Sequence, residues 1–244
     1  MESNSQTRSF GNAGLITAAL ALAASIVIAS IVLGDALGQF KSYDRYVSVK
    51  GLAEREFPAD SVIWPISFTV TGNELPALQK KIEESEQAVR AFLAANNLGD
   101  AQATRSTPRI TDHYAYGGSP EQRPPHRYSA EAVLTVRSNK IQMVKEAMTA
   151  TGALLEKGVM LVYSYDYQPK FDFTRLNDVK PEMIAAATKN AREAATKFAA
   201  DSGSKVGSIR QARQGVFSIE QRDPYSPEIK VLRVVTSVDF FLEQ

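Results

Sequence analysis

The chain has two histidines, His113 and His126, and both fall in one Gly- and Pro-rich stretch, "TDHYAYGGSPEQRPPHRY". If that stretch doubles back about Ser119-Pro120, the two rings face each other, with Asp112 and Glu121 nearby. Two imidazoles and a carboxylate are a donor set that suits a transition metal. The spacing matches no metal motif, however, and nothing nearby supplies the outer partners that orient metal-bound imidazoles. Two exposed histidines on a loop are the expected state. A metal-binding or enzymatic site at this hairpin is kept only as a remote alternative.

A second grouping, Glu54, Glu56 and Asp60, lies in "GLAEREFPADS". Paired carboxylates do acid–base work when their environments push their pKa values apart. In a strand, Glu54 and Glu56 would share one face, with Arg55 on the other. Pro58 just beyond favours a turn with solvated charges, and that is the reading adopted. A third grouping, Tyr163, Tyr165 and Tyr167 in "VMLVYSYDYQ", alternates along an expected strand. It reads as a half-buried strand wall or an oligomer contact. Gly117-Gly118 sits at a hairpin tip and not between a strand and a helix, so it is no phosphate loop. No G-x-S-x-G nucleophile elbow occurs. The chain has no cysteine, which excludes disulfides, thiol catalysis and Cys-ligated metals. No catalytic, cofactor-binding or metal-ligating residue is therefore assigned, and a non-enzymatic protein without cofactor is expected.

These groups are carried by a chain of 244 residues with net charge +1, so no basic excess points to a nucleic-acid partner. From Ala13 to Gly34 the sequence "AGLITAALALAASIVIASIVLG" is uncharged. About twenty apolar helical residues cross a bilayer core. The run is longer than the apolar part of a signal peptide, and "DALGQ" is a poor small-residue cleavage site. Residues 1–12 are thus a short polar tail, 13–34 a transmembrane signal anchor, 35–44 a linker and 45–244 the soluble domain. Cleavage, releasing a soluble secreted binding module, is the alternative. The flanking charges (Arg8 before; Lys41, Arg45, Lys50 and Arg55 after) leave the side of the membrane open, because long domains translocate largely regardless of charge.

Beyond the linker the periodicity switches between two and three-to-four. Strands are expected at Tyr46–Leu52 and Asp60–Thr71, the latter containing Pro65, which argues for an edge or a bulge. An amphipathic helix follows over Glu74–Asn97, capped by Asn73 and stopped at Asn97-Leu98-Gly99, with Leu75, Leu78, Ile82, Val89 and Phe92 on one face. Ala103–Tyr116 and Arg127–Arg137 form a long hairpin. A helix at Ile141–Thr151 and a strand at Val159–Gln168 come next. The longest helix starts near Pro181, carries Ile184, Ala187, Ala191, Ala194 and Phe198, and ends at Gly203. Strands at Val206–Phe217 and Glu228–Leu242 close the chain. The order ββαββ-αβαββ is α+β, with mainly antiparallel sheets and packed amphipathic helices.

Two stretches resemble the SIMPL family, named for a signalling molecule that associates with a pelle-like kinase. "YVSVKGLAEREFPADSVIWPISFTV" is similar to that family's opening strand, charged segment, Pro-x-Asp and second strand. "NAREAATKFAADSGSKVGSIRQARQG" is similar to its Ala-rich helix running through a Gly into a strand. The resemblance spans nearly all of Tyr43 to Gln244. Trp64-Pro65 departs from the general pattern. Bacterial members include a periplasmic immunogenic protein. The uncleaved anchor, expected to hold the chain in the inner membrane by a single pass, is similar to that of only a subset of members, others having plain signal peptides. The resemblance implies a periplasmic α+β domain and assembly into rings in some members. It also implies an ill-defined link to envelope or oxidative stress, and no known enzyme activity. The expected partners are the membrane, further copies of the chain or an envelope protein, with no small-molecule substrate.

Overall fold

The computed structural model describes residues 7–42, 45–115 and 123–243. Helix α1, Thr7–Ser42, holds the uncharged run. Within it Ile16–Leu33 is long and apolar enough to cross a membrane, and none of it is buried in the protein. Eighteen residues rise roughly 27 Å, close to the thickness of a hydrocarbon core. Its hydroxyls are satisfied locally: Thr17 donates to the Gly14 carbonyl, Ser25 to Ala21 and Ser30 to Ile26, each at 2.8–3.0 Å. Such back-bonding removes the cost of carrying Ser and Thr into lipid. An apolar helix this near an N-terminus is also what a signal sequence can form.

The remaining elements are β1 (Tyr46–Pro58), β2 (Ser61–Gly72), α2 (Leu75–Ala95), β3 (Gln102–Arg105), β4 (Arg109–Asp112), β5 (Tyr128–Ser138), α3 (Ile141–Thr149), α4 (Gly152–Glu156), β6 (Met160–Leu161), β7 (Lys170–Asp172), α5 (Leu176–Asp201), β8 (Lys205–Gln214), β9 (Ser218–Gln221) and β10 (Ile229–Glu243). The fold is α+β with antiparallel sheets, as expected. One sheet runs β1-β10-β8, with β9 also on β10; the other runs β3-β5-β2-β6, with β4 on β5 and β7 on β2. Strands β1 and β2, consecutive in the chain, therefore belong to different sheets. Contacts divide the chain into two compact units. One comprises Met1–Leu52, Ile184–Gly215 and Val235–Gln244; the other comprises Ala53–Met183 and Val216–Val234.

In the larger unit β2 and β5 pair without a slip from Val62↔Ser138 to Gly72↔Tyr128. Val62, Trp64, Ile66 and Phe68 alternate inward from β2, and Ala130, Ala132, Leu134 and Val136 from β5. Leu78, Ile82, Val89 and Phe92 of α2 pack on them, together with Val144 and Ala147 of α3. Burying each large apolar side chain contributes about 1.5–3 kcal/mol. Leu75, the first helical residue, stays half-exposed. Helix α2 stops in a Schellman arrangement. Asn97 has φ +60°, its N–H donates to the Ala94 carbonyl, and Leu98 N–H donates to Leu93. The expected single strand at Ala103–Tyr116 is two strands. The register to β5 runs Arg105↔Leu134 and then Arg109↔Glu131, one residue longer on this side. Pro108, which has no N–H to give the ladder, lies in that bulge.

In the smaller unit the helix–sheet packing depends on small residues. Ala187, Ala191, Ala195 and Ala199 form a fully buried stripe at four-residue steps. Ala191 and Ala195 pack with Val49, Val238 and Phe240. A β-carbon on Gly51 of β1 would lie 1.8 Å from the Ala187 carbonyl oxygen, so only glycine allows α5 this close. Asn190 fixes the approach by donating to the Leu52 carbonyl at 2.7 Å. Phe198, placed on the core face by its spacing, is instead 61% exposed, because the alanine stripe takes that face. Helix α5 begins at Leu176, so Pro181 lies inside it and not at its start. Gly203 ends it with φ +67°, and Ser204 N–H returns to the Ala199 carbonyl at 2.8 Å.

Candidate functional site

Several of the charged groups singled out in the sequence are engaged in pairs. Strand β1 continues through Glu54, Arg55 and Glu56 to Pro58, so these residues stand on a strand and not in a turn. The inward alternation of Val49, Gly51 and Ala53 carries the strand past Leu52. Arg55 pairs with Glu182 at 2.6 Å and stacks over Phe57, and Glu56 pairs with Arg222 at 3.4 Å. Asp60 is set apart from both glutamates in role. Its carboxylate accepts from Thr174 N–H at 2.9 Å, Thr174 Oγ1 at 2.9 Å, Arg175 N–H at 3.2 Å and Arg175 Nε at 3.3 Å. Burial pushes the Asp60 pKa up, but the Thr174 and Arg175 bonds outweigh it and hold the carboxyl below its ordinary value. Asp60 thereby pins the segment that enters α5.

At the hairpin, Asp112 is taken by Arg127, whose Nε and Nη2 donate to it at 2.9–3.2 Å, and by Tyr114 N–H at 2.9 Å. These bonds, Arg127 foremost, hold its pKa down. His113 Nε2 lies 2.9 Å from Ser129 Oγ, and His126 is exposed. Ser119, Pro120, Glu121 and Gly117-Gly118 lie outside the described residues. Among the described residues no three His, Asp or Glu converge on a point that could hold a metal. Asn73, expected to cap α2, accepts instead from Arg127 N–H at 3.0 Å, and the α2 N-cap is Glu74.

The feature of a binding site that the described residues do carry is a cleft of ≈ 390 Å³ at one side of β2. Strand β7 pairs with β2 at Ser61–Ile63, and β6 pairs with it at Phe68–Thr69. Between them β2 has no strand on this side, and Trp64, Pro65, Ile66 and Ser67 line the opening. Ser67's carbonyl accepts from Val162 N–H here, at 2.8 Å. By the two-residue alternation Pro65's nitrogen faces the same side, so the gap leaves no N–H unpaired at that position. Pro65 thus marks a local edge in a strand that is interior elsewhere.

The opposite wall is the segment expected to be a tyrosine-bearing strand. Only Met160–Leu161 are strand, and Tyr165–Tyr167 form a 3₁₀ turn with Ser164 Oγ accepting from Asp166 N–H. Tyr163, Tyr165 and Tyr167 consequently do not share a strand face. All three line the cleft, with Tyr163 and Tyr165 above 80% exposed at its mouth. Tyr167's hydroxyl donates to Glu131, and that bond raises the phenol pKa. Met148 and Thr151 complete the wall, Thr151 Oγ1 lying 3.4 Å from Tyr163 Oη. Ser67 is 3% exposed and its Oγ has no hydrogen-bond partner. The lining holds hydroxyls and aromatic rings and no Asp, Glu, His, Lys or Arg. Such a wall has the make-up of small-ligand sites, apolar and aromatic with a few polar groups. Two signals for it stand in the sequence, Pro65 within a strand and the tyrosine cluster. What joins them is the pairing of β6 and β7 with β2.

One buried cation escaped the sequence reading. Lys230 on β10 is 6% exposed, and desolvation pushes its pKa down against the pull of Asp172. Its signal was its phase: Lys230, Leu232, Val234 and Thr236 all point inward.

An antiparallel α+β chain with an N-terminal apolar helix and a cleft of aromatic, apolar and hydroxyl-bearing residues is the class of protein that these features define. A family model described as SIMPL, a protein of unknown function (DUF541), matches residues 47–234, and the chain belongs to that family. A comparison with curated proteins gave no match.

Proposed function

We propose that this SIMPL protein is a single-pass, membrane-anchored protein of the cell envelope that works by binding and not by catalysis. Its soluble part stands on the extracytoplasmic side and either self-associates or holds an envelope partner, in a role tied to envelope or oxidative stress. The observation that carries the reading is α1, an unburied apolar helix whose hydroxyls are satisfied within it and which leads into the folded part of the chain. Pairing of the charged groups (Asp112 with Arg127, Glu56 with Arg222, Asp60 with Thr174 and Arg175) is in keeping with a binding role.

The mass of the N-terminal peptide of protein isolated from native membranes tests it. A chain retaining Ala13–Gly34 is expected. A mature start near Gln39 would end the anchor reading in favour of a secreted module. Light scattering of the same full chain in detergent reads self-association, and a strict monomer at high concentration would leave partner-holding as its role.

A further inference from the structure

We propose that the cleft beside β2 is a binding site for a small, uncharged aromatic molecule of about two fused rings that carries one hydrogen-bonding group. Three independent observations converge on it. The first is size. A cavity of about 150 Å³ holds one benzene, and this one measures ≈ 390 Å³, within the range of small-ligand sites. The second is chemistry. Trp64, Ile66, Met148, Leu161 and the tyrosines give it aromatic and apolar walls, and no lining side chain carries a formal charge to recognise an ion. Rings on such walls favour flat, polarizable guests. The third is Tyr163 Oη, a lining hydroxyl on an 83% exposed ring whose contact with Thr151 Oγ1 is long, 3.4 Å, so it can exchange a hydrogen bond with one polar group of a guest.

The occupant is a small molecule and not an added peptide strand. The open stretch of β2 covers only Trp64–Ser67, and it is closed at one end by β7 and at the other by β6. Strand addition requires a longer free edge with N–H groups to pair, and Pro65 has none. The mouth is framed by Tyr163 and Tyr165, exposed rings able to fold over a guest that stays in the opening. This site stands apart from anchoring and self-association, so failure of either reading leaves the other in place.

The test is isothermal titration calorimetry of the full chain in lipid nanodiscs, with empty nanodiscs subtracted. The probes are 2-naphthol, naphthalene and decanoate. Saturable one-to-one binding of 2-naphthol is expected. Thr151→Phe, which fills the cleft, should weaken it at least about tenfold. Tyr163→Phe should weaken 2-naphthol about three- to tenfold, the scale of one hydrogen bond, and leave naphthalene within about twofold. Circular dichroism of both variants checks that they fold; if Thr151→Phe does not, Tyr163→Phe with the two naphthalenes decides. The proposal is overturned by the absence of saturable 2-naphthol binding, by equal Tyr163→Phe effects on both aromatics, or by decanoate binding more tightly than 2-naphthol.

Discussion

Gly51→Ala is the perturbation for which the geometry gives the sharpest number. The new β-carbon would lie 1.8 Å from the Ala187 carbonyl oxygen and 2.6 Å from the Ala191 nitrogen, both backbone atoms of α5. No side chain can rotate out of the way, so β1 and α5 must separate by roughly 1.5 Å to restore van der Waals distance. A gap of 0.5–1 Å already forfeits about a quarter to a half of each contact. The contacts at stake join Val49, Val238 and Phe240 to Ala191 and Ala195, and the retreat also stretches the 2.7 Å bond from Asn190 to the Leu52 carbonyl. Overpacking against rigid backbone sits at or above the top of the usual range, about 3 kcal/mol. For a folded part of about 200 residues that lowers the unfolding midpoint by about 6–12 °C. The assay is thermal unfolding of the full chain in detergent, followed by far-ultraviolet circular dichroism. Gly152→Ala is the control: nothing lies within 4 Å of its added methyl, and it opens α4, so it should be neutral or stabilising by up to about 1 kcal/mol. A Gly51→Ala midpoint within about 1 °C of the wild type would refute the close-approach argument.

Two further substitutions test the electrostatics. Asp60→Asn should cost about 1–2 kcal/mol at pH 7, the scale of a lost charged cap. Because the folded Asp60 pKa lies below its ordinary value of 3.8, its contribution is complete above that value and is lost as pH falls through the folded one. Acid titrations of wild type and variant should therefore converge as pH falls from 3.8 through the folded value, and parallel curves would contradict the assignment. Lys230→Met keeps the aliphatic stem and removes the desolvated charge, so its midpoint at pH 7 should rise. In the wild type, stability should climb as pH rises from the depressed Lys230 pKa toward 10.5; the variant should lack that climb, and an unchanged alkaline limb would count against burial of the charge.

Local patterns were the legible part of this molecule. The α2 stripe, the stop at Asn97 and the Gly203 cap each depend on residues a few positions apart. Glu54, Arg55 and Glu56 read as a turn because their partners Glu182 and Arg222 are remote in sequence, and an exposed strand can carry charges when they are matched. The tyrosine segment alternated like a strand, yet only Met160 and Leu161 find a place on β2, and the rest turns away as a 3₁₀ turn. Phe198 matched the helical period, but a bulky ring cannot occupy a face where Gly51 meets an alanine stripe. Pro65 carried most of the information about the cleft. It announced an edge, and only the pairing of β6 and β7 showed that the edge is four residues long.

Anchoring governs which partners the protein can meet, and protease accessibility tests it most directly. Cells are treated with protease after the outer barrier is opened and the cytoplasmic membrane is left intact, and the chain is followed by antibodies to each end. The account predicts that residues beyond α1 are digested while a membrane-embedded fragment containing Ile16–Leu33 survives. A full-length chain protected until the membrane is dissolved would place the domain in the cytoplasm and contradict the account.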